Sequence, residues 1–139
     1  MTRNADIRQY AAAQVSNLLG RLAFEVHRAG RSHDADVVHD LRVSIRRFNQ
    51  GLRVFRQFFP DRDARKIRRR LRAVMKTAAK VRNLDIAAEL CENANLSRTT
   101  SLYRALAAPR ADAIRELHDL LRRWDARNVS SRWRARLGL

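Results

Sequence analysis

The chain has 139 residues, enough for one apolar core and too few for two of ordinary size. Thirty residues are basic against 14 acidic, a net charge of +16, and only Lys66, Lys76 and Lys80 are lysine, so the excess is carried by arginine. Cys91 is the only cysteine, which excludes an internal disulfide and a thiolate zinc site, and no apolar run is long enough to span a bilayer.

The opening residues, MTRNADIRQYAAAQVSNLLG, are interrupted by charges and amides, unlike the apolar core of a secretion signal. A reducing, cytoplasmic setting is the expectation. Arginine holds two oxygens of a phosphate or carboxylate on a planar, permanently charged fork, and such an excess of it repels itself unless a polyanion is near.

Gly and Pro are few while Ala, Leu and Arg dominate, so the long windows read as helix. A first helix is expected over residues 5–29, ending at Gly30. Asp34 is placed to cap a second that runs to Phe59 and stops at Pro60. Asp61 is expected to cap a third reaching Asn93, and Ser97 a fourth reaching Asp125. Pro109 removes one backbone hydrogen bond from that fourth stretch, which predicts a kink or two helices in series. Asn128 or Ser130 is a cap for a short terminal helix, whose Trp133 and Leu137 are expected to be exposed. Short connections between long helices predict an all-α, antiparallel four-helix bundle with a C-terminal helical extension, one domain over residues 1–139.

On the second helix Val38, Leu41, Ile45, Phe48, Leu52, Phe55 and Phe59 follow a three-four spacing that defines a core seam. At about 100° per residue, His39, Arg42, Arg46, Arg53 and Arg56 fall on a strip beside that seam, with Arg47 pointing away. The third helix has a seam of Ile67, Leu71, Val74, Ala78 and Val81. Its far side carries a basic row of Arg65, Arg69, Arg72, Lys76 and Lys80, roughly 22 Å long at the helical rise, with Arg68 and Arg82 between row and seam. Residues 37–82 hold 15 basic and 3 acidic side chains, a net of +12, so most of the chain's excess lies in one helical hairpin. A face needing only solubility would interleave Glu with its Arg, because like charges at these spacings oppose the helix. An anion-binding groove between the second and third helices follows.

His39 has the reference pKa of a general base but neighbours on its strip that are arginines, with no nucleophile to deprotonate and no group to orient it. It reads either as a hydrogen-bond donor to a phosphate oxygen or as a packing residue at the helix start. His27, His33, His39 and His118 are scattered, without the spacing of metal ligands, and no glycine-rich phosphate loop or catalytic triad is evident. No metal, cofactor or catalytic residue is expected. Asp85 lies on the apolar side of the third helix, where it needs a cation; Arg82 or an arginine of the second helix is the expected partner. His118, Trp124 and Trp133 otherwise read as packing residues.

The segments VHDLRVSIRRFNQGLRVFRQFFP and VRNLDIAAEL together resemble the CHAD family, the conserved histidine α-helical domain. His39, Arg42, Arg46 and Arg47 match its V-H-x-x-R-V-x-x-R-R segment, and Arg82 and Asp85 match its R-D-x-D-[VI] segment, with Asn83 in place of the usual Asp. The resemblance covers about residues 34–92. It implies an all-helical, non-enzymatic domain that binds inorganic polyphosphate through a basic groove, and it associates the protein with polyphosphate granules or a polyphosphate-metabolising enzyme as partner. Family members often look like two four-helix halves, and this chain has the helices of one. Two chains pairing as a homodimer, with the tail around Trp133 at the interface, is therefore expected. Without the resemblance, nucleic-acid or generic polyanion binding remains the alternative, although single strands usually need exposed aromatic platforms. An enzyme acting on polyphosphate would need a carboxylate cluster for metal or an activated nucleophile.

Overall fold

The computed structural model of the protein describes residues 2–97 and 100–139. All regular structure among them is helical: α1 (Thr2–Ala29), α2 (Ala35–Val54), a 3-10 turn (Arg56–Phe58), α3 (Asp61–Asn93), α4 (Ser101–Ala105), α5 (Ala107–Ala126) and α6 (Val129–Leu137). Helix α1 packs on α2, α2 on α3, α3 on α5, and α5 back on α1. Four long helices thus close a ring of contacts around a shared core, and α6 rests against α1, α3 and α5.

The helix boundaries follow from local chemistry, with instructive exceptions. Asp34 does cap α2: its extended backbone lets the carboxylate accept from the Asp36 amide at 2.9 Å. Asp61 does not cap α3. Pro60 occupies that position, and Asp61 and Asp63 instead lie in the first turn, where their charges oppose the positive end of the helix dipole. The second helix stops at Val54, short of Phe59, and the chain tightens into the 3-10 turn before Pro60; Phe55 is accordingly only half-buried while Phe59 is buried. Thr100 rather than Ser97 caps α4, its hydroxyl accepting from the Tyr103 amide. The expected break near Pro109 takes the form of two helices in series. The joint is at Leu106, which places Pro109 in the first turn of α5, where a backbone N–H would have no partner within that helix.

The core takes one stripe from each long helix. Leu19, Leu22 and Val26 of α1 meet Leu41, Ile45 and Phe48 of α2, Leu71, Ala78 and Val81 of α3, and Ile114, Leu117 and Leu121 of α5. Gly51 brings α1 and α2 close together, since a Cβ there would approach the Leu18 Cδ1 to 2.6 Å. The tail departs from expectation. Trp133 is only 6 % exposed and Leu137 is also buried. The Trp133 indole stacks on Phe48 at 5.9 Å and meets Trp124 edge-on at 4.7 Å. It plugs the end of this chain's own core and is therefore not a surface left over for a second copy.

Two buried polar side chains, Asp85 and His118, are paired across elements. Asp85 is buried, and its partner is neither Arg82 nor an arginine of α2: the Arg110 Nε of α5 donates to Oδ1 at 2.6 Å. The same guanidinium donates from Nη2 to the His33 carbonyl at 2.7 Å, while His118 Nε2 donates to the Ser32 carbonyl at 2.7 Å. Two side chains of α5 therefore hold the α1–α2 connection. Buried Glu25 lies between Arg21, at 2.9 Å, and Arg28, which also reaches Asp40 at 3.1 Å.

Trp133→Ala should lower stability by about 3–5 kcal/mol, the range for deleting a buried aromatic, without changing the oligomeric state; urea unfolding and light scattering read the two effects. Arg110→Met leaves Asp85 without its cation and should cost about 1–3 kcal/mol, measured by the same unfolding curve.

Candidate functional site

Helices α2 and α3 are joined by one turn and lie side by side. Arg42 and Arg46 of α2 lie beside Arg82 of α3 at one end of their shared groove. At the other end Asn49 and Arg53 of α2 face Arg68, Leu71, Arg72 and Met75 of α3 around a cleft of about 270 Å³. Low residue numbers on α2 thus oppose high numbers on α3, so α3 returns along α2. From Arg42 to Arg53 the groove runs about 17 Å at the helical rise.

Its electrostatics are one-sided. Among the described residues, Arg42, Arg46, Arg53, Arg68 and Arg72 make no ion pair, and the nearest compensation is Glu89, 3.7 Å from Arg82. Arg42 is the most constrained of them. Burial, and then the charges of Arg46 and Arg82, push its pKa below the usual arginine value. Its Nε is buried without a hydrogen-bond partner, as is the Asn49 Oδ1. A desolvated guanidinium donor with no acceptor is costly, and an anionic oxygen would satisfy it.

The structure divides the residues chosen from helical spacing. Arg42, Arg46, Arg53, Arg72 and Arg82 meet along the α2–α3 groove. His39 does not join them: it lies almost opposite the buried face of α2 and lines a separate cleft of about 340 Å³ on the α1 side, with Arg47, Arg21 and Asp40. Angle alone does not separate His39 from Arg46; the α1 helix beside the start of α2 does, because it forms the other wall of the cleft that His39 lines. Arg65, Arg69 and Lys76 lie on the outer face of α3, exposed to solvent and turned from α2. Lys80 inclines to α5, with its Nζ 3.2 Å from Glu116. Arg56 belongs to the 3-10 turn beyond the end of α2 and is exposed. Arg68 lines the cleft although spacing alone left it between row and seam; the signal was present, because a residue about 100° from the seam faces a neighbouring helix more often than one opposite it.

In class, the molecule is an all-helical domain whose basic side chains gather along one helical hairpin. The chain belongs to the CHAD family, whose domain model matches residues 9–138, nearly its whole length. Comparisons with curated proteins and with solved structures gave no match. No helix among the described residues is long and apolar enough to cross a membrane.

Repulsion within the groove has a measurable sign. Arg46 is exposed, so Arg46→Gln removes a like charge beside Arg42 without opening a cavity. A relief of a few tenths of a kcal/mol, the usual scale for such pairs, should raise the melting temperature by about 1 °C in dilute buffer free of multivalent anions. The gain should vanish at high salt, read by thermal unfolding followed by circular dichroism.

Proposed function

We propose that the protein binds inorganic polyphosphate, without catalysis, in the α2–α3 groove. Arg42, Arg46, Arg53, Arg68, Arg72 and Arg82 hold the phosphate oxygens there. Arg65, Arg69 and Lys76 extend the positive field over the outer face of α3. Support comes first from the pairing pattern: guanidinium groups stand on both walls with no carboxylate between them, and one donor is already stripped of water. Membership of a family associated with polyphosphate binding supplies the ligand. Asparagine and arginine hold an anion but do not activate a nucleophile. On the same reading the ring of α1, α2, α3 and α5 is an antiparallel four-helix bundle, and His39 is a contact of the α1–α2 cleft rather than of the groove.

On the α2 wall, aromatic placement favours a phosphate chain over single-stranded nucleic acid; the exposed rings Tyr10 and Phe24 belong to α1. Phe48 and Phe59 are buried, and Phe55 and Phe58 are half-buried against the core, so α2 offers no open stacking platform. A homodimer is compatible with this fold only through a surface other than Trp133.

Competition at fixed ionic strength between long-chain polyphosphate, duplex DNA, RNA and heparin decides the ligand. Polyphosphate should displace a labelled polyphosphate probe at the lowest concentration; equal displacement by all four would reduce the protein to a generic polyanion binder. Arg53→Gln with Arg72→Gln should weaken binding and lower the slope of log K against log salt by about 0.7 for each cation removed, the single-strand value. An unchanged slope in a folded variant places the groove elsewhere.

A further inference from the structure

The opposite flank of α3 carries a second gathering of arginines that the groove does not use. Arg70 lies about 200° around the helix from Arg72 and faces α5 and α6. With Arg123, Arg127, Leu120 and Trp124 it lines a cleft of about 290 Å³. Its guanidinium stands 6.0 Å from the centre of the Trp124 ring. Three cations line the cleft, Arg132 of α6 stands close enough to Arg70 to repel it, and among the described residues none of the four makes an ion pair. Burial, and then Arg127, Arg132 and Arg123, push the Arg70 pKa below its ordinary value.

The floor is rigid. Trp124 is 2 % exposed, and its Nε1 donates to the Ser130 hydroxyl at 2.9 Å, which ties the first turn of α6 to the cleft. That turn begins at left-handed Asn128 without a side-chain cap and without an acidic residue, so the positive end of the α6 dipole adds to the same field. Arg127 is exposed at the end of α5, and its backbone, not its side chain, closes that helix. Among the described residues its guanidinium makes no ion pair. Arg70, Arg123 and Arg127 surround one cleft instead of forming a row along a helical hairpin, which suits a compact group with several anionic oxygens.

We propose that the cleft between α3 and α5 is a second anion site, lined by Arg70, Arg123 and Arg127 over Trp124 with Arg132 of α6 nearby, for a diphosphate group. The site stands whether or not the α2–α3 groove takes polyphosphate. Free inorganic diphosphate and the diphosphate of a nucleotide share this chemistry.

Calorimetric titration of the full chain with pyrophosphate, and separately with ADP, tests it. The wild type should bind pyrophosphate saturably, and Arg127→Gln with Arg132→Gln should lose affinity at least tenfold. Arg53→Gln with Arg72→Gln should change it less than twofold. Relief of repulsion should also give the first variant a higher melting temperature than the wild type in anion-free buffer; Arg127→Gln alone serves if the double variant does not fold. ADP as tight as pyrophosphate assigns a nucleotide ligand, and weaker ADP assigns the free ion. No saturable binding of either by the wild type, or equal losses in the two double variants, overturns the site.

Discussion

Mutual repulsion among guanidinium groups is the constraint to which the rest of this fold responds. Residues 37–82 carry a net charge of +12, and neither α2 nor α3 interleaves carboxylates to offset it. What keeps the two helices together is the seam beneath, where Leu41, Ile45, Phe48, Leu71, Val74 and Val81 leave water almost completely. Burial of several such side chains, each contributing about 1.5–3 kcal/mol, outweighs exposed like-charge pairs worth a few tenths each. The apolar stripe thereby maintains an arrangement of charge that would otherwise disperse.

Helix α3 is where this balance is most concentrated. One side of it enters the core, its outer side carries Arg65, Arg69 and Lys76, and its two flanks present Arg68 with Arg72 toward α2 and Arg70 toward α5. The few carboxylates available are spent elsewhere. Glu25 and Asp40 neutralise Arg21 and Arg28 on α1, Asp85 holds Arg110, and Glu116 meets Lys80. Apart from Glu116 at Lys80 and Glu89 near Arg82, no ion pair among the described residues offsets the cations that α2 and α3 present to each other.

Helix existence and the α2 and α3 seams were legible in the sequence because a three-four apolar spacing has few other solutions. Caps were less so: Asp34 acts as its type suggests, but Pro60 instead of Asp61 holds the position before α3 and Thr100 instead of Ser97 caps α4, because the backbone decides which residue stands there. Trp133 looked exposed because its burial depends on Phe48 and Trp124, residues distant in the chain that only the closed ring of helices brings together. The same holds for Asp85, whose partner Arg110 is 25 residues away on α5. At the candidate site, helical angle put Arg42, Arg46 and Arg53 on the side of α2 that meets α3. It misassigned His39 because an angle measured on one helix does not say on which side the neighbouring helices stand.

Arg110 also bears on how the molecule comes apart. Its guanidinium joins the carboxylate of α3 to the carbonyl of His33, so three stretches of chain far apart in sequence must be in place before both hydrogen bonds exist. Closing loops of that length costs conformational entropy, which the two hydrogen bonds and the packing around them must offset. The clamp thereby ties the α1–α2 connection to both α3 and α5, so that an opening at any one of the three must break a hydrogen bond to another.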